Sequence, residues 1–190
     1  GNHLYLNGVT ELSPAAAGNL AQFRDGRPED THRSCVSLSG LQTIDPALAR
    51  ALGTMQAAGL HLDGLESAEP MLLELLNTFQ GSHLYLNGLT TLSPLTARAL
   101  QGQPRNTLGL RGLTELDPPT AAQLAKLELQ HLELSGLESL SPYIAQQLLS
   151  SPARLNLTSL RGLSSQTLAR LNAERHRVWL NAQRYPEPAL

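Results

Sequence analysis

Cysteine is nearly missing from this chain: Cys35 stands alone among 190 residues. One thiol can form neither an internal disulfide framework nor a zinc site of four thiolates. Aromatic residues are scarce, with one Trp, four Tyr and two Phe, and isoleucine and valine are few. A compact globular core normally draws on a mixed set of large and branched side chains, so this poverty suggests a repeated unit. A net charge of −2 argues against a strongly basic nucleic-acid protein. No apolar run approaches the ~20 residues that a membrane span needs. What the chain does have is leucine, 42 residues of it, with 16 % charged residues, which is not the composition of a disordered chain.

The leucines recur in phase. "HLYLNGVTELSP" at 3–14 returns as "HLYLNGLTTLSP" at 83–94. Related copies begin at Val36, Leu60, Leu108, Leu132 and Leu155, and a closing half-copy begins at Val178. Starts 36, 60, 84, 108 and 132 are 24 residues apart and the next two steps are 23, whereas the first, from Leu4, is 32. Self-similarity of this period marks a repeat architecture.

The unit reads L-x-L-x-G-L-x-x-L-[SDE]-P-x-x-[AL]-x-x-L. Its first half alternates with period two, as a short strand with one buried face does. The glycine that follows (Gly8, Gly40, Gly64, Gly88, Gly112, Gly136) reads as a turn residue needing either a positive φ or close backbone approach. The second half changes period. Ser13-Pro14, Asp45-Pro46, Ser93-Pro94, Asp117-Pro118 and Ser141-Pro142 each set a capping oxygen before a proline at the first helical position. Ala and Leu then recur at three-residue spacing, as in Ala97 and Leu100, which is one apolar stripe of a short helix. One unit cannot bury its leucines, but a stack of units can. Each buried leucine contributes roughly 1.5–3 kcal/mol. Strands recurring on one side must be parallel neighbours. Helices are wider than the ~4.8 Å strand spacing, so the stack must curve, with the sheet concave and the helices convex. A parallel β-helix has coils of similar period, but the recurring Ser/Asp-Pro caps argue against it.

This unit resembles the leucine-rich repeat, most closely the cysteine-containing and ribonuclease-inhibitor-like branch, over roughly residues 3–181. "LYLNGLTTLSP" matches that branch's phrase place by place with two departures. Val9, Leu41, Leu65, Leu89, Leu113, Leu137 and Leu160 stand where the family usually has Asn or Cys, so its inner side-chain hydrogen-bond ladder should be absent and the turn must satisfy its own backbone. Proline also replaces the usual acid after the cap. The resemblance implies a single α/β horseshoe solenoid and a noncovalent protein-binding function. It also implies an alternative, a recognition arm of a larger protein such as a bacterial effector or ubiquitin ligase, with the catalytic domain outside these residues.

The eight extra residues of the first step fall within 24–34, where Gly, Pro and six formal charges make a solvated loop. Residues 182–190 read as a cap or linker. The opening "GNH", already in register with the "GSH" before Leu84, reads as the trimmed start of a longer array. Residues 150–190 hold six arginines against Glu174 and Glu187, a net charge of +4. The lone cysteine points to a reducing, cytoplasmic setting, with a secreted bacterial effector as the other reading.

Alternation places three residues of each strand on the concave surface. That set yields the candidate binding residues: Tyr5, Asn7, His61, Asp63, His83, Tyr85, Asn87, Arg111, His131, Glu133 and Trp179. Tyr, Trp and Arg most often anchor interfaces, so the expected partner is a protein or peptide, without nucleic acid or membrane. The same face admits two rival readings. Cys35, His61 and His83 lie on consecutive strands and include zinc-type ligands, but their lateral offsets look too large for one tetrahedral site. His61 beside Asp63 could suggest an acid–base pair, yet no oriented nucleophile or phosphate-binding glycine loop accompanies it. No catalytic residue, metal or cofactor is therefore assigned.

Overall fold

The computed structural model describes residues 3–21 and 34–185. The loop expected at 24–34 lies outside the described residues except for Ser34, as does the tail beyond Tyr185. Strands and helices alternate: β1 (His3–Tyr5), α1 (Pro14–Leu20), β2 (Cys35–Ser37), α2 (Pro46–Gly53), β3 (Gly59–His61), α3 (Pro70–Leu76), β4 (His83–Tyr85), α4 (Pro94–Ala99), β5 (Arg105–Gly109), α5 (Pro118–Leu124), β6 (Leu129–Glu133), α6 (Pro142–Leu149), β7 (Arg154–Asn156), α7 (Ser165–Ala173) and β8 (Val178–Trp179). The eight strands form one open parallel sheet in sequence order. Register follows the repeat, so Leu84 pairs with Leu60 on one side and Leu108 on the other. Helices likewise pack on their sequence neighbours. The chain is thus an α/β solenoid with strands on one side and helices on the other.

Each helix starts where the caps place it. Side chains of Asp45 and Asp117 accept from the third helical N–H at 2.6 and 2.7 Å, and Ser13, Ser93 and Ser141 do the same with hydroxyls. Ser164 caps α7 without a following proline. Glu69 precedes Pro70 but makes no side-chain cap bond, so proline alone sets the start of α3.

The core is the set of leucine columns. Val36, Leu60, Leu84, Leu108, Leu132, Leu155 and Val178 form one, and Leu38, Leu62, Leu86, Leu110, Leu134 and Leu157 the next, all buried. Leu41, Leu65, Leu89, Leu113, Leu137 and Leu160 are buried at the turn. There the backbone closes on itself: Leu89 N–H donates to the Leu86 carbonyl at 3.1 Å, and Leu41, Leu65 and Leu113 repeat the bond. Ala49, Ala97, Ala121 and Ala145 are buried where each helix rests on the sheet.

Of the two requirements open for the turn glycine, the structure selects close approach. Positive φ among the described glycines occurs at Gly102 and Gly162, outside this series. A Cβ on Gly112 would lie 2.5 Å from the Asn87 carbonyl oxygen and 2.6 Å from that of Leu89, both in the preceding turn. Gly8, in the first copy, would meet nothing. The glycine is a stacking requirement between turns.

Candidate binding face

Ten of the eleven candidate residues are at least partly exposed, and Glu133 is buried. Alternation counted back from β8 would put the Arg177 guanidinium on the sheet face as well. It turns instead to the end of α6, donating to the Leu149 and Ser151 carbonyls at 2.7 Å and to the Glu174 carboxylate at 2.8 Å. A helix C-terminus offers unpaired carbonyls, and these outcompete water for the arginine.

Polar side chains on the face form a lateral network. Asn7 Oδ1 accepts from the Ser37 hydroxyl at 2.6 Å and from Ser39 N–H at 3.3 Å. Ser39 donates to Asp63 Oδ2 at 3.4 Å. Asp63 Oδ1 takes the Asn87 N–H at 3.0 Å, and Asn87 Oδ1 takes the Arg111 N–H at 3.1 Å. Arg111 reaches the Glu133 carboxylate at 3.4 Å, Asn156 Nδ2 donates to that carboxylate at 2.7 Å, and Thr158 donates to Asn156 at 3.1 Å. This ladder runs from β1 to β7 and fixes the polar atoms of the surface. Its members Ser37, Ser39, Asn156 and Thr158 were missed as candidates. Their signal was positional, because Ser39 and Thr158 occupy the column of Asn7, Asp63 and Asn87, and Ser37 and Asn156 that of His61, Tyr85 and Glu133.

Aromatic rings lie beside the ladder. Tyr85 stacks on His61, with centroids 4.2 Å apart and planes 16° from parallel. Tyr85 leans over Gly109, where any Cβ would strike its ring. His131 and Trp179 stack at 5.9 Å. Tyr5 is 68 % exposed and Trp179 42 % exposed. The eleven candidates therefore divide. Tyr5, Arg111 and Trp179 are open to solvent; His61, His83, Tyr85 and His131 are half-buried; Asn7, Asp63, Asn87 and Glu133 are held in the ladder, with Glu133 buried.

Electrostatics follow from this packing. Burial acts to raise the Asp63 pKa, but hydrogen bonds from His61, the Asn87 N–H and Ser39 outweigh it and leave the carboxyl below its usual range. The His61 ring nitrogen lies 3.5 Å from the Asp63 carboxylate. Burial pushes the Cys35 thiol up, so at neutral pH it stays a thiol and not a nucleophilic thiolate. Burial lowers the His83 pKa, and the nearby His131 and His61 lower it further. A base whose pKa is lower folded than unfolded leaves the unfolded chain holding more protons, so stability rises with pH. Acidification from about pH 7 to about pH 5 is expected to weaken the fold, with His83→Gln flattening the slope. Urea unfolding across that range measures it, and an unchanged slope in the variant would refute the assignment to His83.

Among the described residues, no three His, Cys, Asp or Glu side chains converge to hold a metal ion. No described helix is long and apolar enough to cross a membrane. A groove of about 590 Å³ lies off this face, where α2 and α3 run into β3 and β4, lined by Met55, Ala57, Thr78 and Ser82 among others. No protein-family model matches the chain, and no curated protein matches it.

Proposed function

We propose that this chain is a leucine-rich-repeat recognition module that binds a protein or peptide on its concave sheet face without catalysing a reaction. The observation that carries the reading is the combination on one surface of stacked and exposed aromatics with a ladder that holds the intervening polar groups. Such a surface presents Tyr85 and Trp179 on strands and Arg111 in the turn after β5, anchored through its N–H to Asn87, where less side-chain entropy remains to be lost on binding. The same packing disfavours an active site. His61 and Asp63 lie side by side, but the only thiol is held protonated and the ladder occupies the carboxylate oxygens.

The double variant Tyr85→Ala/Arg111→Ala tests the proposal. Truncating central anchors typically costs about 2 kcal/mol or more, so partner capture should fall at least tenfold. Far-UV circular dichroism should be unchanged, because neither side chain belongs to the leucine columns. Tyr143→Ala, on the exposed side of α6, should leave capture intact. A partner retained equally by the parent and the double variant would remove the concave face as its site.

A further inference from the structure

We propose that the β5–β8 half of the concave face receives an extended acidic segment of a partner protein. This rests on the recognition reading above and specifies its chemistry. Donors and acceptors on the face are unequally committed. Both carboxylates are engaged, Asp63 by Ser39, the Asn87 N–H and His61, and Glu133 by Arg111 and Asn156. The side-chain oxygens of Asn7, Asn87 and Asn156 already accept ladder bonds. Donors remain available. The Arg111 side chain is 54 % exposed and touches Glu133 through one nitrogen only. Arg154 is exposed and has no hydrogen bond or ion pair among the described residues. A partner that meets this surface must supply acceptors, and a carboxylate matches a planar guanidinium in both geometry and charge.

The layout sets the length of the segment. Arg154 lies beside His131 in the β6–β7 register, and His131 stacks with Trp179, so a cation and an aromatic pair form one patch. Arg111 lies two strands away, in the turn just past the far end of β5. At ~4.8 Å per strand and ~3.3 Å per residue, the two arginines are roughly 16 Å apart, the reach of about five extended residues. Side chains of an extended segment alternate, so two acidic residues about four or six positions apart would face the sheet together and engage both arginines.

Trp179 is the single tryptophan of the chain, so its fluorescence reports on this patch alone. The probes are tryptophan-free Gly/Ser-based peptides with two residues four or six apart as Glu, Gln or Lys, together with a short oligothymidylate. The Glu peptide should shift Trp179 emission and bind at least tenfold more tightly than the Gln and Lys peptides. Its affinity should fall several-fold as salt is raised from about 50 to about 300 mM. Arg111→Ala/Arg154→Ala should weaken it at least tenfold, with circular dichroism unchanged. Preference for the Lys peptide or the oligonucleotide, insensitivity to the double variant, or no binding up to about 1 mM would each overturn the inference. The recognition reading stands or falls separately, on whether capture of a natural partner depends on Tyr85 and Arg111.

Discussion

Arg105→Ala is expected to lower the free energy of unfolding by about 3–5 kcal/mol, though the residue lies outside the binding face. Arg105 is only 5 % exposed. Its Nη1 donates to the carbonyls of Phe79 and Gly81, both at 3.1 Å, and its Nη2 donates to Asn77 Oδ1 at 2.8 Å. The guanidinium also sits 5.8 Å from the Phe79 ring centroid. Asn77 is the C-cap of α3 and bridges onward to the Gln101 carbonyl at 2.6 Å. One side chain therefore closes the carbonyl end of α3 and ties it to β5, beyond the intervening β4. Alanine leaves those carbonyls buried without donors, each at roughly 1–3 kcal/mol. Arg105→Met keeps the apolar stem but should lose nearly as much stability. Arg105→Lys should fall between, because a single ammonium cannot serve both sides of the fork. Burial lowers the Arg105 pKa to about 10, so the guanidinium stays charged at neutral pH. Urea titration of the four proteins decides the point, and a loss under about 1 kcal/mol for alanine would show that water replaces the clamp.

The legibility of this chain tracks how local each signal is. The leucine columns, the strand-to-helix switch and the proline-marked helix starts could be read because each depends on a few adjacent residues and recurs along the chain, the proline in every helix but α7. Glu69 shows the same logic at its edge: proline announced the helix, but only the structure shows that the acid before it does not cap. The ladder was less legible. Asn7, Ser39, Asp63, Asn87 and Arg111 differ in chemistry, and their bonds depend on which side-chain atom meets which neighbouring N–H. Position alone identified them as surface residues, whereas geometry shows them fastening one strand to the next. Arg105 was not legible at all. Copies beside it have Gly81 and Leu129 at the same place, so a lone arginine there reads as a solvated charge. Its burial depends on the carbonyl end of α3, 28 residues back at Asn77.

The hexapeptide His-Leu-Tyr-Leu-Asn-Gly occurs at 3–8 and again at 83–88, and the same substitution should have unequal effects in the two copies. Leu84 is fully buried between Leu60 and Leu108, whereas Leu4 pairs only with Val36 and is partly exposed. Leu84→Ala should cost about 2–5 kcal/mol, the range for an interior cavity that cannot collapse, and Leu4→Ala about 1 kcal/mol. In a solenoid, stability is close to a sum of unit terms and neighbour-interface terms. Leu84 sits in two such interfaces in the middle of the array, so its loss weakens the coupling between the repeats on either side. Leu84→Ala should therefore broaden the urea transition or split it in two, while Leu4→Ala should leave a single transition or fray only the first repeat. Chemical denaturation with hydrogen exchange on β1 and β7 separates the two results. Equal losses at both sites would mean that β1 is covered as completely as β4, and the end-to-middle gradient in burial would have to be abandoned.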